Sequence, residues 1–123
     1  MIELTVEDLL YLHRRGIERH GGSPIVPETA PGALSSALHS ASYNEGILGY
    51  SAALLTYIAK AQHLSDGNKR LAWSACVRTL ELNGFTLEVG DDDAEAFVLR
   101  IVKERLEVAE VADELANWLI ELE

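Results

Sequence analysis

Two helix-like apolar patterns, separated by a short and mostly polar segment, constrain this chain more than any other feature. From Leu48 to Ala61 the residues are good helix formers, and Ala53, Leu54, Tyr57, Ile58 and Ala61 recur at i, i+1, i+4, i+5 and i+8. That spacing predicts a buried helix. From Leu71 to Leu82 the pattern returns with Ala72, Trp73, Cys76, Val77 and Leu80, and it stops at Asn83-Gly84, a pair suited to the left-handed turn that ends helices. The eight residues His63-Leu64-Ser65-Asp66-Gly67-Asn68-Lys69-Arg70 are therefore expected to form the loop of a helix-loop-helix and the first turn of its second helix.

The chemistry of that loop points toward anions. Backbone N–H groups at a helix start lack intrahelical partners, and the helix dipole favours negative charge there. Gly67 lets a ligand approach the backbone closely, and Lys69 and Arg70 add charge that a polyphosphate would neutralise. Asp66 is a hard oxygen ligand of the kind magnesium takes. A plainer reading uses the same residues: Asp-Gly is a common turn, Asn caps helices, and Lys-Arg is often a solvated face. Two cations at a helix N-terminus oppose the dipole, so that plainer reading leaves them without a structural reason. On local chemistry alone, both readings stay open.

The remaining chain reads as helices with little else. Thr5 caps a helix from Val6 to Arg19, with Asp8 completing a variant capping box, and its stripe is Val6, Leu9, Leu10, His13 and Ile17. His13 lies in that stripe and reads as a hydrogen-bonded core histidine rather than a ligand. A breaker-rich stretch from His20 to Pro31 follows, then a short helix from Gly32 to Ala41 and a turn at Tyr43-Asn44-Glu45-Gly46. Phe85 to Val89 alternates enough for one short extended segment. Asp91-Asp92-Asp93 precedes the stripe Ala94, Phe97, Val98, Ile101 and Val102, where acids favour the helix dipole, so the run reads as a helix start rather than a metal site. A last helix is expected from Ala109 to Leu122, burying Val111, Leu115, Trp118, Leu119 and Leu122.

The expected fold is all-α: a compact bundle of about six helices in a single domain over residues 1–123, with at most one short extended segment. The net charge of −10 argues against general nucleic-acid binding, and against that background Lys69 and Arg70, with Lys60 nearby, form the most evident concentration of positive charge. The single Cys76 sits on an apolar helix face and reads as a packed thiol. No apolar run reaches the length of a membrane span, and Met1-Ile2-Glu3 lacks the basic start of a signal peptide, so a cytoplasmic protein is expected.

Asp66-Gly67-Asn68-Lys69-Arg70, followed by an apolar helix ending in Leu82-Asn83-Gly84, resembles the signature of the Fic/Doc family, and Lys69 resembles its Doc branch, named for the death-on-curing toxin. The resemblance extends to Leu4 through His13 and to Gly21-Gly22. It implies a Fic/Doc-type helical bundle, ATP and Mg2+ as cofactors, and transfer of part of a nucleotide to a protein hydroxyl. It assigns the metal to Asp66, an anion cradle to Gly67 and Asn68, and the phosphates to Arg70. Fic members usually transfer AMP and carry Gly where this chain has Lys69. The Doc branch implies a reversed nucleotide, phosphorylation of a threonine on translation elongation factor Tu, and a cognate antitoxin whose disordered tail folds into a helix over a groove. The resemblance implies that the breaker-rich segment from His20 to Pro31 carries a flap beside the active site that aligns the target peptide; a plain surface loop is the other reading of the same residues.

One departure concerns the catalytic base. The family places a His four residues before the acid and a Phe two residues after that His; here Gln62 stands at the first position, His63 lies three before Asp66, and Leu64 replaces the Phe. An amide does not titrate near neutral pH and cannot take a proton from the target hydroxyl. Two readings follow. In the favoured one the loop shifts by one residue and His63 serves as base; in the other Gln62 holds the position, the protein is weakened or dead as a catalyst, and it acts through partner binding.

Overall fold

The structure is a computed structural model that describes residues 1–61 and 67–123. In chain order the elements are α1 (Val6–His20), α2 (Ala30–Ala41), α3 (Gly46–Lys60), α4 (Asn68–Leu82), β1 (Phe85–Leu87), α5 (Asp91–Lys103), α6 (Val108–Ala116) and β2 (Leu119–Glu121). The expected all-α bundle is what the chain forms, with six helices among the described residues.

Helix α3 is the axis of the core. Tyr50 through Leu55 are all buried, as are Thr56, Ile58 and Ala59, so the helix is covered nearly all round rather than on one stripe. It packs against α4, α6, α2 and α5. Two core polar groups are absorbed locally: the Thr56 and Thr79 hydroxyls donate to the carbonyls of Ala52 and Ala75 one turn back, at 2.7 and 2.8 Å. Helix α4 buries Leu71, Ala72, Ala75, Cys76 and Leu80 against this axis. Complete burial pushes the Cys76 thiol up to about 12, which keeps it protonated and inert, as expected of a packed core thiol.

Helix α1 begins where the sequence marks it. Asp8 N–H donates to Thr5 Oγ1 at 3.2 Å and Thr5 N–H donates to Asp8 Oδ2 at 2.9 Å. Helix α5 starts with Asp91, Asp92 and Asp93 in its first turn, in agreement with the dipole reading. Helices α2 and α3 each start two residues earlier than their patterns suggest, α2 with Pro31 in its first turn and α3 at Gly46, whose φ of 74° turns the chain into the helix.

The C-terminal end corrects one expectation. The helix expected from Ala109 to Leu122 stops at Ala116, and Leu119–Glu121 instead pairs antiparallel with Phe85–Leu87, with Phe85 opposite Glu121. Leu122, expected in the core, is 44% exposed. The reason is a competition between periods. Val111 and Leu115 satisfy the helical face, while β-favouring Leu119-Ile120 finds the unpaired edge of β1 and the Trp118 ring packs edge-on against Phe97 at 5.3 Å.

Candidate functional site

Helix α4 begins at a glycine whose backbone few other residues tolerate. Gly67 precedes the helix in the left-handed region, with φ 81°, and a Cβ placed there would come within 3.4 Å of both Arg70 Nη2 and His13 Nδ1. A side chain would therefore fill the space between the motif and α1. His13 is buried on α1, in agreement with the core-histidine reading, and its ring backs Gly67.

Arg70 joins the two helices. Its Nη2 donates to the carbonyl of Gly21, just past the C-terminus of α1, at 3.0 Å, where the helix dipole favours a cation. Its Nε is buried and has no hydrogen-bond acceptor among the described residues. Gly16 of α1 faces the same guanidinium, with a methyl there just touching Nε at 3.9 Å. Lys69 is exposed, and Asn68, the first residue of α4, is half-buried.

These residues open onto a cleft of about 1280 Å³ between α1, the end of α3, the start of α4 and α5. Gly67, Asn68, Lys69, Arg70 and Lys60 all line it, so the described part of the sequence motif and the expected cation neighbour are brought together. Gln62, His63 and Asp66, assigned to base and metal by sequence, lie outside the described residues. Among the described residues no group of three or more His, Cys, Asp or Glu side chains is arranged to hold a metal ion.

Sequence reasoning missed half of the cleft. Arg15, Arg19 and His20 of α1 line it opposite the motif, so five of the chain's ten Lys and Arg residues meet there despite the net charge of −10. The available signal was the i, i+4 spacing of Arg15 and Arg19, which in isolation reads as an ordinary solvated face. The α5 wall has a different character. Asp91 and Glu95 give it negative charge and Val98, Leu99 and Val102 make it apolar, with Trp73 and Tyr11 adding aromatic surface elsewhere in the lining. Such a cleft can hold a polyanion against α1 and α4 and an apolar group beside it.

No helix of the described chain is long and apolar enough to cross a membrane. No protein-family model matches the chain, and no curated protein does.

Proposed function

We propose that the chain is a Doc-like phosphotransferase, the toxin of a toxin–antitoxin pair, which passes the γ-phosphate of ATP to a threonine of elongation factor Tu and so arrests translation. The observation that carries this reading is the convergence of Gly67, Asn68, Lys69 and Arg70 on a basic cleft large enough for a nucleotide and part of an acceptor. A target of this kind places the reaction in the cytoplasm.

The residues divide the work as phosphoryl transfer requires. Lys69 and Arg70 bind and orient the phosphates, and the start of α4 supplies a positive dipole end without a Cβ in the way at Gly67. Asp66 would hold Mg2+, which takes one or two carboxylates besides phosphate oxygens and water and would neutralise charge on the phosphates. The acceptor hydroxyl loses its proton to the His63 imidazole, its oxygen bonds to the γ-phosphorus, and the bond to the bridging oxygen of ADP breaks. By the motif resemblance Lys69 stands where AMP-transferring Fic proteins carry glycine, which favours phosphate over AMP transfer. An antitoxin tail folding over the same cleft would block both substrates at once.

A second reading rests on Gln62 at the family's base position: a Fic-type fold that binds partners and does no chemistry. Incubation with elongation factor Tu and ATP labelled at either the α or the γ position separates the readings. Label arriving only from γ supports the kinase, label from α supports AMP transfer, and no label supports the silent fold. Within the first outcome, His63→Ala lowers transfer by roughly 10²-fold or more while Gln62→Ala matters much less.

A further inference from the structure

We propose that Arg15 and Arg19 of α1 form, with Lys60, Lys69 and Arg70, a two-walled site for a polyphosphate chain, so that the phosphates are gripped from α1 as well as from the loop motif. The inference rests on reading the cleft as a nucleotide site, and it concerns binding alone.

Charge is the first reason. In a chain with twenty Asp and Glu residues, cations would ordinarily be spread among carboxylates, yet half of the Lys and Arg residues line one cleft. Among the described residues the ion pairs lie elsewhere, joining Arg100 to Glu104 and Glu114, and none neutralises the cleft cations. Gathered like charges repel one another, and an anion between them removes that cost. The second reason is Arg70, which lines the cleft and whose Nη2 is fastened to the Gly21 carbonyl at 3.0 Å, so that its guanidinium is held in place at the junction of the two walls. The third is spacing. Arg15 and Arg19 stand about one helical turn apart, roughly 6 Å along α1, a distance that a run of two or three phosphates spans. Guanidinium forks suit phosphate oxygens, which each can bind in pairs. Asp91 and Glu95 on the α5 wall push the anion toward α1 and α4 and leave the nucleoside to the apolar side.

The test titrates ATP, ADP, AMP, inorganic tripolyphosphate and a Glu-rich peptide into the full chain by calorimetry. Compared with wild type are the double variant Arg15→Gln/Arg19→Gln, the lysine pair Arg15→Lys/Arg19→Lys, and Arg14→Gln, whose guanidinium lies 5.5 Å over the Tyr11 ring and is not among the cleft-lining residues. The glutamine pair should lose roughly 10- to 100-fold in affinity for ATP and tripolyphosphate, the worth of one or two charge-assisted hydrogen bonds, with little change for AMP. The lysine pair should recover part of the loss, and Arg14→Gln should bind as wild type does. Tripolyphosphate binding as tightly as ATP identifies the chain of phosphates as the ligand, and ATP binding more tightly adds a nucleoside subsite; both support the site. Unchanged polyphosphate affinity in the glutamine pair, or no polyphosphate binding by folded wild-type protein, overturns it. So does a glutamine pair that loses affinity only for a Glu-rich peptide, which would make this wall a surface for acidic protein. If binding behaves as expected and no label reaches elongation factor Tu, the kinase reading fails and the polyphosphate site stands.

Discussion

Helices α1 and α4 begin in opposite ways. The start of α1 is closed by its own sequence: Thr5 and Asp8 exchange backbone and side-chain hydrogen bonds, and Glu7 and Asp8 put negative charge on the positive end of the dipole. The start of α4 follows a glycine that has no side chain to offer, carries no acid in its first turn, and places Lys69 and Arg70 where cations are unfavourable. One end is built for stability and the other gives some up. The difference teaches that α1 is capped by its own first turn, whereas the cations at the start of α4 serve contacts beyond their own helix, Arg70 reaching the Gly21 carbonyl and Lys69 lining the cleft.

The largest expected effect comes from placing a side chain at the start of α4. Gly67→Val puts a β-branched residue at φ 81° and a Cβ within 3.4 Å of Arg70 and His13, so it should cost about 1–3 kcal/mol in urea unfolding and reduce ATP affinity by more than about 10-fold. A variant that binds ATP normally would separate Gly67 from the site. Next is Lys69→Glu, which gives α4 the charge pattern of α1. Its polyphosphate affinity should fall by about 10-fold while its urea midpoint stays equal or rises, and a fall in both would break the comparison.

A smaller and reciprocal effect is expected at the closed end. Thr5→Ala should lose about 1 kcal/mol of stability with ATP affinity unchanged, measured by the same two titrations. The smallest effect at neutral pH, and a visible one only in alkali, involves two buried acids. Burial, with a lesser contribution from the Glu3 carboxylate, pushes Tyr50 up from 10.0 to about 12, and burial alone pushes Cys76 from 9.0 to about 12. Because these folded-state values are raised, their contribution is complete below pH 9 and is lost as pH climbs toward 12. Tyr50→Phe should flatten the stability profile above pH 10 and leave it unchanged at pH 7, since the Tyr50 hydroxyl has no hydrogen-bond partner among the described residues.

Local signals were legible and long-range ones were not. The cap at Thr5, the acid start of α5, the left-handed stop at Gly84 and the buried Cys76 each follow from neighbouring residues, and each stands in the structure. The end of α6 depends on a partner strand some 35 residues earlier, so Leu119-Ile120-Glu121 carried a helical pattern that pairing with Phe85–Leu87 overrode. The site divides along the same line. Gly67 through Arg70 announce themselves within one turn of helix, whereas Arg15 and Arg19 gain meaning only once α1 lies against α4.

The way α4 is fastened bears on the order in which the molecule assembles. Its first turn is tied to α1 through Arg70 and Gly21, 49 residues apart. At its far end the Asn83 side chain accepts from Ile2 N–H at 2.7 Å and donates to the Ile2 carbonyl at 2.8 Å, 81 residues away, while Leu122 N–H donates to the Gly84 carbonyl at 2.8 Å. Closing such long loops comes late, after local helices have formed. A chain with its helices made and these ties still open would have Lys69 and Arg70 on one side and Arg15 and Arg19 adrift on the other. Tight polyphosphate binding would then mark the last step of folding, and the ligand, by holding only the finished form, would draw that step to completion.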